Sequence, residues 1–330
     1  MAQSEALAGV RWSDDVDEVI KGDLTAAAVY LTPAGGAVAT AVAPVGIGDR
    51  DTGTLGFTTS LGFPRKLERI CADPRVALAF HSREHGFSAS PSFVLAQGRA
   101  RVDLSPSRER LEALAPQAAP YLGEVVRGPV WDRLLREYYA ERVFVDITVE
   151  RIITWPDLSA AGPVEITGAP WPGWPAGQRP PVGGTGPRLD VGRAARRIAA
   201  LPHRVLAYQG ADGFPVAVPV TVAWSDHAGL RLAVPDGLLP PGGRRAGLLA
   251  HAYHPALVGL STRVFTGWLE VADDGSAVYA PHTGKGFVAP PRKKLLLVSN
   301  GLMAKYGMWQ ARRRGTAERL RQLAAGQSVR

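Results

Sequence analysis

With one cysteine, Cys71, in 330 residues, the chain can form no internal disulfide and suits a reducing compartment. No apolar run is long enough to cross a bilayer. The opening residues lack the basic start and apolar stretch of a signal peptide, so a cytoplasmic location is expected. Nucleophile-elbow, zinc-ligand and dinucleotide-glycine patterns are also missing, and no catalytic residue can be named. Acidic residues are scarce at one end: from Arg292 to Arg330, ten Lys or Arg stand against Glu318 alone. The whole chain carries +8, so its basicity is local to that segment, which reads as a solvated helix face. Neither a membrane nor a nucleic-acid partner is expected from it.

Proline and glycine, by contrast, crowd residues 156–189, where Pro163, Pro170, Pro172, Pro175, Pro180 and Pro181 leave no room for a helix or a central strand. This reads as a linker between a first domain, 1–155, and a second, 190–330. In the first domain Ala27–Leu31, Ala37–Val45, Thr54–Thr59, Val76–Phe80 and Phe93–Val102 read as strands. Val143, Val145, Ile147 and Val149 alternate as in a strand with one buried face. Pro64 opens a short helix whose Leu67, Ile70 and Cys71 form a core stripe, and Asp73-Pro74 ends it. Ser105-Pro106 reads as the start of another helix, and Trp131, Leu134, Leu135, Tyr138 and Tyr139 as an amphipathic one.

In the second domain Arg204–Gln209, Phe214–Trp224, Gly229–Val234 and Val264–Val271 read as strands, and Leu248–Tyr253 as a helix closed by His254-Pro255. His251 and His254 would share a face of that helix. No third ligand is spaced to join them, so no metal site is expected. His282-Thr283-Gly284-Lys285-Gly286 lacks phosphate-loop spacing and reads as a solvated loop.

The informative stretch runs from Thr54 to Ala100. Thr58, Thr59 and Ser60 end a strand with three hydroxyls, and Pro64 then begins a helix whose amino end is partially positive. Arg65 and Lys66 stand in its first turn, where cations oppose the helix dipole. That local cost makes sense if an anion such as a phosphate binds there.

The order of a strand ending in Thr58-Thr59-Ser60, a helix opening on Pro64-Arg65-Lys66, and strands Asp73–Phe80 and Phe93–Ala100 resembles the split-barrel flavin family of pyridoxamine 5′-phosphate oxidase. It is similar above all to the flavin/deazaflavin-dependent oxidoreductase branch of that family. The resemblance covers residues 20–155 well and the second half weakly. It implies a mainly β fold with helices, two FMN-binding split barrels in tandem forming an internal pseudo-dimer. It also implies that Thr58, Thr59, Ser60, Arg65 and Lys66 hold the phosphate of FMN or coenzyme F420, with Gln97 near the cofactor ring. The implied activity is hydride transfer to or from a small organic substrate, by a monomer or a homodimer. Some relatives of this fold bind haem, which gives a non-catalytic alternative with His81 or His85 as axial ligand. Gly243-Arg244-Arg245 echoes the basic pair before a helix, without a preceding hydroxyl run, so one competent phosphate site is expected, in the first half.

Overall fold

The computed structural model describes residues 9–327. The first half contributes β1 (Ala26–Leu31), β2 (Ala37–Val42), β3 (Gly48–Asp49), β4 (Thr54–Ser60), β5 (Arg75–Phe80), β6 (Phe93–Asp103) and β7 (Arg142–Trp155). A short β8 (Glu165–Gly168) pairs with β7 from inside the proline-rich segment, which is therefore not all irregular. The second half contributes β9 (His203–Gln209), β10 (Pro215–Pro219), β11 (Thr221–Asp226), β12 (Gly229–Ala233), β13 (Gly242–Ala252), β14 (Ser261–Val271) and β15 (Ala277–Val288). Seven helices accompany them among the described residues: α1 (Asp14–Gly22), α2 (Pro64–Ala72), α3 (Arg108–Leu122), α4 (Pro129–Ala140), α5 (Val191–Ala199), α6 (Lys293–Arg313) and α7 (Thr316–Gln327).

All ladders are antiparallel, and the two sheets share one plan. The first runs β2-β1-β5-β6-β7-β4-β3 and the second β10-β9-β13-β14-β15-β12-β11. The match extends to irregularities. The first sheet slips register between Gln97 and Gly98, and the second between Thr266 and Gly267, on corresponding strands. At each slip the backbone passes so close that only glycine fits: a Cβ on Gly98 would lie 2.1 Å from the Thr148 carbonyl oxygen, and one on Gly267 2.1 Å from that of Ala280.

Four sequence readings need correction, one of them the loop expected at 282–286, which lies inside strand β15. The stretch Leu248–Tyr253 is no helix but the end of strand β13. Its Leu248, Leu249, Ala250 and His251 are all buried, because β13 packs between sheets and has no solvent face to produce alternation. The single strand expected over Phe214–Trp224 is two strands that meet at Val220. The helix expected at Ser105-Pro106 starts later, with Ser107 as its cap accepting from the Arg110 amide.

Two apolar clusters hold the molecule. One fills the first sheet: Val143, Val145, Ile147 and Val149 meet Ala26, Ala28, Tyr30, Phe57, Leu67, Ile70 and Cys71 there. Burial and the nearby Glu68 push the Cys71 thiol up to about 11, so it is a core residue and no nucleophile. The other cluster fills the second sheet and reaches across to Ala27, Val29, Ala77 and Ala79 on the outer face of the first. Small side chains let the sheets approach closely; a Cβ on Gly247 of β13 would stand 2.5 Å from the Ala37 carbonyl oxygen. Helices α6 and α7 then return from the second half to the first, where Met308 and Leu320 join the first cluster.

Candidate functional site

The end of β4 carries the hydroxyl run. Thr59 is buried, Thr58 and Ser60 half-buried, and the Ser60 hydroxyl accepts from the Gly62 amide at 3.1 Å. The chain turns at Leu61-Gly62 and enters α2 at Pro64. Phe63 stands at the cap position with no side chain to cap the helix, and the first turn holds no acidic residue. The amino end of α2 is thus electrostatically open to an anion.

Arg65 is exposed and Lys66 half-buried, and neither has an ion-pair partner among the described residues. The Lys66 ammonium lies 5.1 Å from the Phe57 ring centroid and 6.0 Å from that of Phe63. Burial against these rings pushes it down to about 8, the direction a nearby anion would reverse. The five residues read from the sequence as a phosphate grip therefore sit on one strand end, one turn and one helix start. Helix α6 adds a wall that the sequence did not reveal. A Cβ on its Gly307 would lie 2.7 Å from the Gly62 Cα, and α7 braces α2 through Arg319 and Glu68 at 3.8 Å.

Gln97 belongs to a different network, on β6, two strands from β4. Its amide nitrogen donates to the Pro215 carbonyl at 2.7 Å, and its oxygen accepts from Arg151 Nε at 2.7 Å. Both ends of that side chain are thus occupied, and its amide nitrogen joins the two halves.

Register pairings show what the second half keeps. Val29 faces Ala77, and Ala207 faces Gly247. The hairpins closed by Leu31 with Ala37 and by Gln209 with Pro215 make Val29 and Ala207 equivalent, hence also Ala77 and Gly247. Past the bulges, Gly98 faces Val149 and Gly267 faces Pro281, so Val145 corresponds to Ala277, and their partners Phe57 and Leu232 correspond in turn. Thr58-Thr59-Ser60 is then matched by Ala233-Val234-Pro235, which has no hydroxyl. Where the first half has α2, the second has only residues 234–241. Gly243-Arg244-Arg245 is no echo of the basic pair, because it lies in β13. Arg244 is buried and donates to the Pro175 and Pro240 carbonyls at 3.4 and 3.2 Å.

The same correspondence exposes a feature that sequence reading missed. His81 and His251 occupy equivalent positions in the two halves and meet, Nε2 to Nε2, at 2.7 Å. His81 Nδ1 lies 3.0 Å from the Ala79 carbonyl oxygen, so it carries the proton and its Nε2 accepts from His251. His251 Nδ1 is left buried without a partner. The signal was present as Arg75-Val76-Ala77-Leu78-Ala79-Phe80-His81 beside Arg245-Ala246-Gly247-Leu248-Leu249-Ala250-His251, an Arg and a His six apart around a shared Leu. An axial role for His81 would require breaking its bond to His251. His85 is exposed, with its ring 6.0 Å from that of Tyr253.

Burial holds His81 down to about 4 and His251 well below the ordinary histidine range. The unfolded chain takes up these protons near 6.5, whereas the folded chain resists until near 4. The contribution of these two histidines to stability is therefore fully present above about pH 6.5 and is lost as pH drops toward 4, by about 1.4 kcal/mol per pH unit for each. Denaturant midpoints at pH 7 and pH 5 should differ accordingly, and the difference should shrink in a His81→Leu/His251→Leu variant. An undiminished difference would assign the acid lability to other groups.

No family model and no curated protein matches the chain. Among solved structures it is similar to a putative pyridoxamine 5′-phosphate oxidase from Listeria innocua (14% identity, 42% of this chain and 94% of that one, TM-score 0.30). It is also similar to an F420 reductase (16% identity, 41% and 94%, TM-score 0.31). A third is a heme binding protein from Mycobacterium smegmatis (14% identity, 90% and 100%, TM-score 0.30). Both halves are split barrels. That assignment rests on the strand order and the matched bulges, and likenesses this distant say nothing of activity.

Proposed function

We propose that this chain is an oxidoreductase that holds the phosphate of a flavin or of coenzyme F420 at the start of α2. There the ring would exchange hydride with a small organic substrate. The two barrels are read as a tandem duplication in which the first keeps the site and the second serves as its partner wall. The observation that carries this reading is an uncapped helix start with three hydroxyls before it and two cations without counter-ions among the described residues, a set the second barrel lacks. Hydroxyls, helix amides and cations are the donors a bound phosphate requires. In such enzymes the cofactor supplies the chemistry while the protein supplies position and electrostatics. That agrees with a site rich in donors to an anion.

Titration of the purified chain with FMN and with F420, read by ring fluorescence, tests this. Binding of one of them is expected, weakened about hundredfold in Arg65→Ala/Lys66→Ala through loss of two charge-assisted contacts. Failure of both cofactors to bind would end the oxidoreductase reading. A haem spectrum that survives this double substitution and disappears with His81→Ala or His85→Ala would make the chain a haem carrier instead.

A further inference from the structure

Helix α6 is apolar on two opposite faces. Leu297, Gly301, Ala304, Met308 and Ala311 are buried against the first barrel and α4. The outward face should by rights be polar. Instead Leu295, Leu302, Tyr306 and Trp309 are 52%, 57%, 60% and 52% exposed, and their spacing sets them on one stripe. Phe63, 58% exposed, follows Gly62, which meets Gly307 on the flank of the helix. No helix of the described residues is long and apolar enough to cross a membrane, so burial inside a bilayer is not the explanation.

The charges around the stripe identify what would cover it. Arg292, Lys293 and Lys294 are exposed at one end of the helix, and Arg312, Arg313 and Arg314 at the other. Between Lys293 and Arg313 there is no acidic residue. The Arg313 guanidinium carbon lies 5.3 Å from the Trp309 ring centroid, which itself stacks on Tyr306 at 5.9 Å. Apolar and aromatic side chains in a row, with cations at both ends, match the boundary of an anionic bilayer. There acyl chains receive the former and headgroup phosphates the latter. A second copy of the chain fits poorly, because helices paired face to face would bring cationic ends onto cationic ends in either direction. Nucleic acid would meet the cations but leave the aliphatic stripe wet.

We propose that the outward face of α6 docks this protein on the surface of an anionic membrane. The contact is peripheral and adds a partner not expected of the basic segment read as a solvated helix face.

Cosedimentation of the full chain with phosphatidylcholine vesicles, with and without phosphatidylglycerol, tests the proposal. Binding is expected only to the anionic vesicles. Leu302→Ser/Trp309→Ser should weaken it about tenfold, and Arg312→Gln/Arg313→Gln/Arg314→Gln about hundredfold. All five positions are exposed, and the ion pair of Arg312 with Glu141 at 3.8 Å is a weak one in solvent, so the unfolding midpoint should barely move, which separates a lost contact from a lost fold. Three results would overturn the proposal. The anionic vesicles could fail to carry the protein down. Vesicle binding could survive Leu302→Ser/Trp309→Ser while short duplex DNA binds more tightly, which would assign the face to nucleic acid. A dimer abolished by Trp309→Ser would assign it to a second copy.

Discussion

Gly98→Ala is expected to cost at least about 3 kcal/mol of stability, among the largest losses available to so small a change. The added methyl would sit 2.1 Å from the Thr148 carbonyl oxygen and 2.9 Å from Ile147 Cγ2. Both obstacles belong to β7, a strand paired on both sides, so neither can withdraw without opening a ladder. Gly267→Ala should behave alike, since its methyl would stand 2.1 Å from the Ala280 oxygen. Gly173→Ala is the control: nothing lies within 4 Å of the position. Denaturant midpoints of the three variants decide the matter, and a Gly98→Ala loss below about 1 kcal/mol would show that the strand crossing can relax.

Arg151→Met is expected to cost roughly 3 kcal/mol by stranding the groups that the guanidinium satisfies. The side chain is 4% exposed and donates to Gln97 at 2.7 Å, to Asp212 at 2.6 Å and to the Pro170 carbonyl. These partners come from β6, from the hairpin between β9 and β10, and from the proline-rich segment, so one residue ties both barrels and their connection. Asp212 keeps some access to water, which moderates the loss. Arg151→Lys retains the charge but loses the planar fork, and should fall between wild type and Arg151→Met. Equal stability of all three would mean that the Arg151 network adds nothing to the joining of the barrels.

Much of the first barrel could be read from sequence because its strands have distinct faces. The alternation at Val143, Val145, Ile147 and Val149 survives since Asp146, Thr148 and Glu150 look toward water. The hydroxyl run and basic pair were legible too, because local order alone brings Ser60, Gly62 and Lys66 into one turn of chain. Strand β13 was illegible for the opposite reason. Buried on both faces and poor in β-branched residues, it has no period of two, and His254-Pro255 after it imitates a helix stop. Gln97 shows a further limit. Its position on β6 follows from the pattern, but its partners Arg151 and Pro215 are settled by how the barrels dock. The packing of α6 onto the first barrel was hidden because a helix apolar on both faces does not announce which one turns inward.

Met308 and Leu320 lie in the core of the first barrel although they follow the whole of the second in sequence. During synthesis, residues 9–155 can form their ladders early, but the interior they enclose stays open at α2 until the last helices arrive. The second barrel is complete at Val288 and faces no such wait. Closure of the first half is therefore the late event of folding despite its early synthesis, and contacts spanning most of the chain make it slow. A chain cut before α6 should leave the second barrel as the better-formed half.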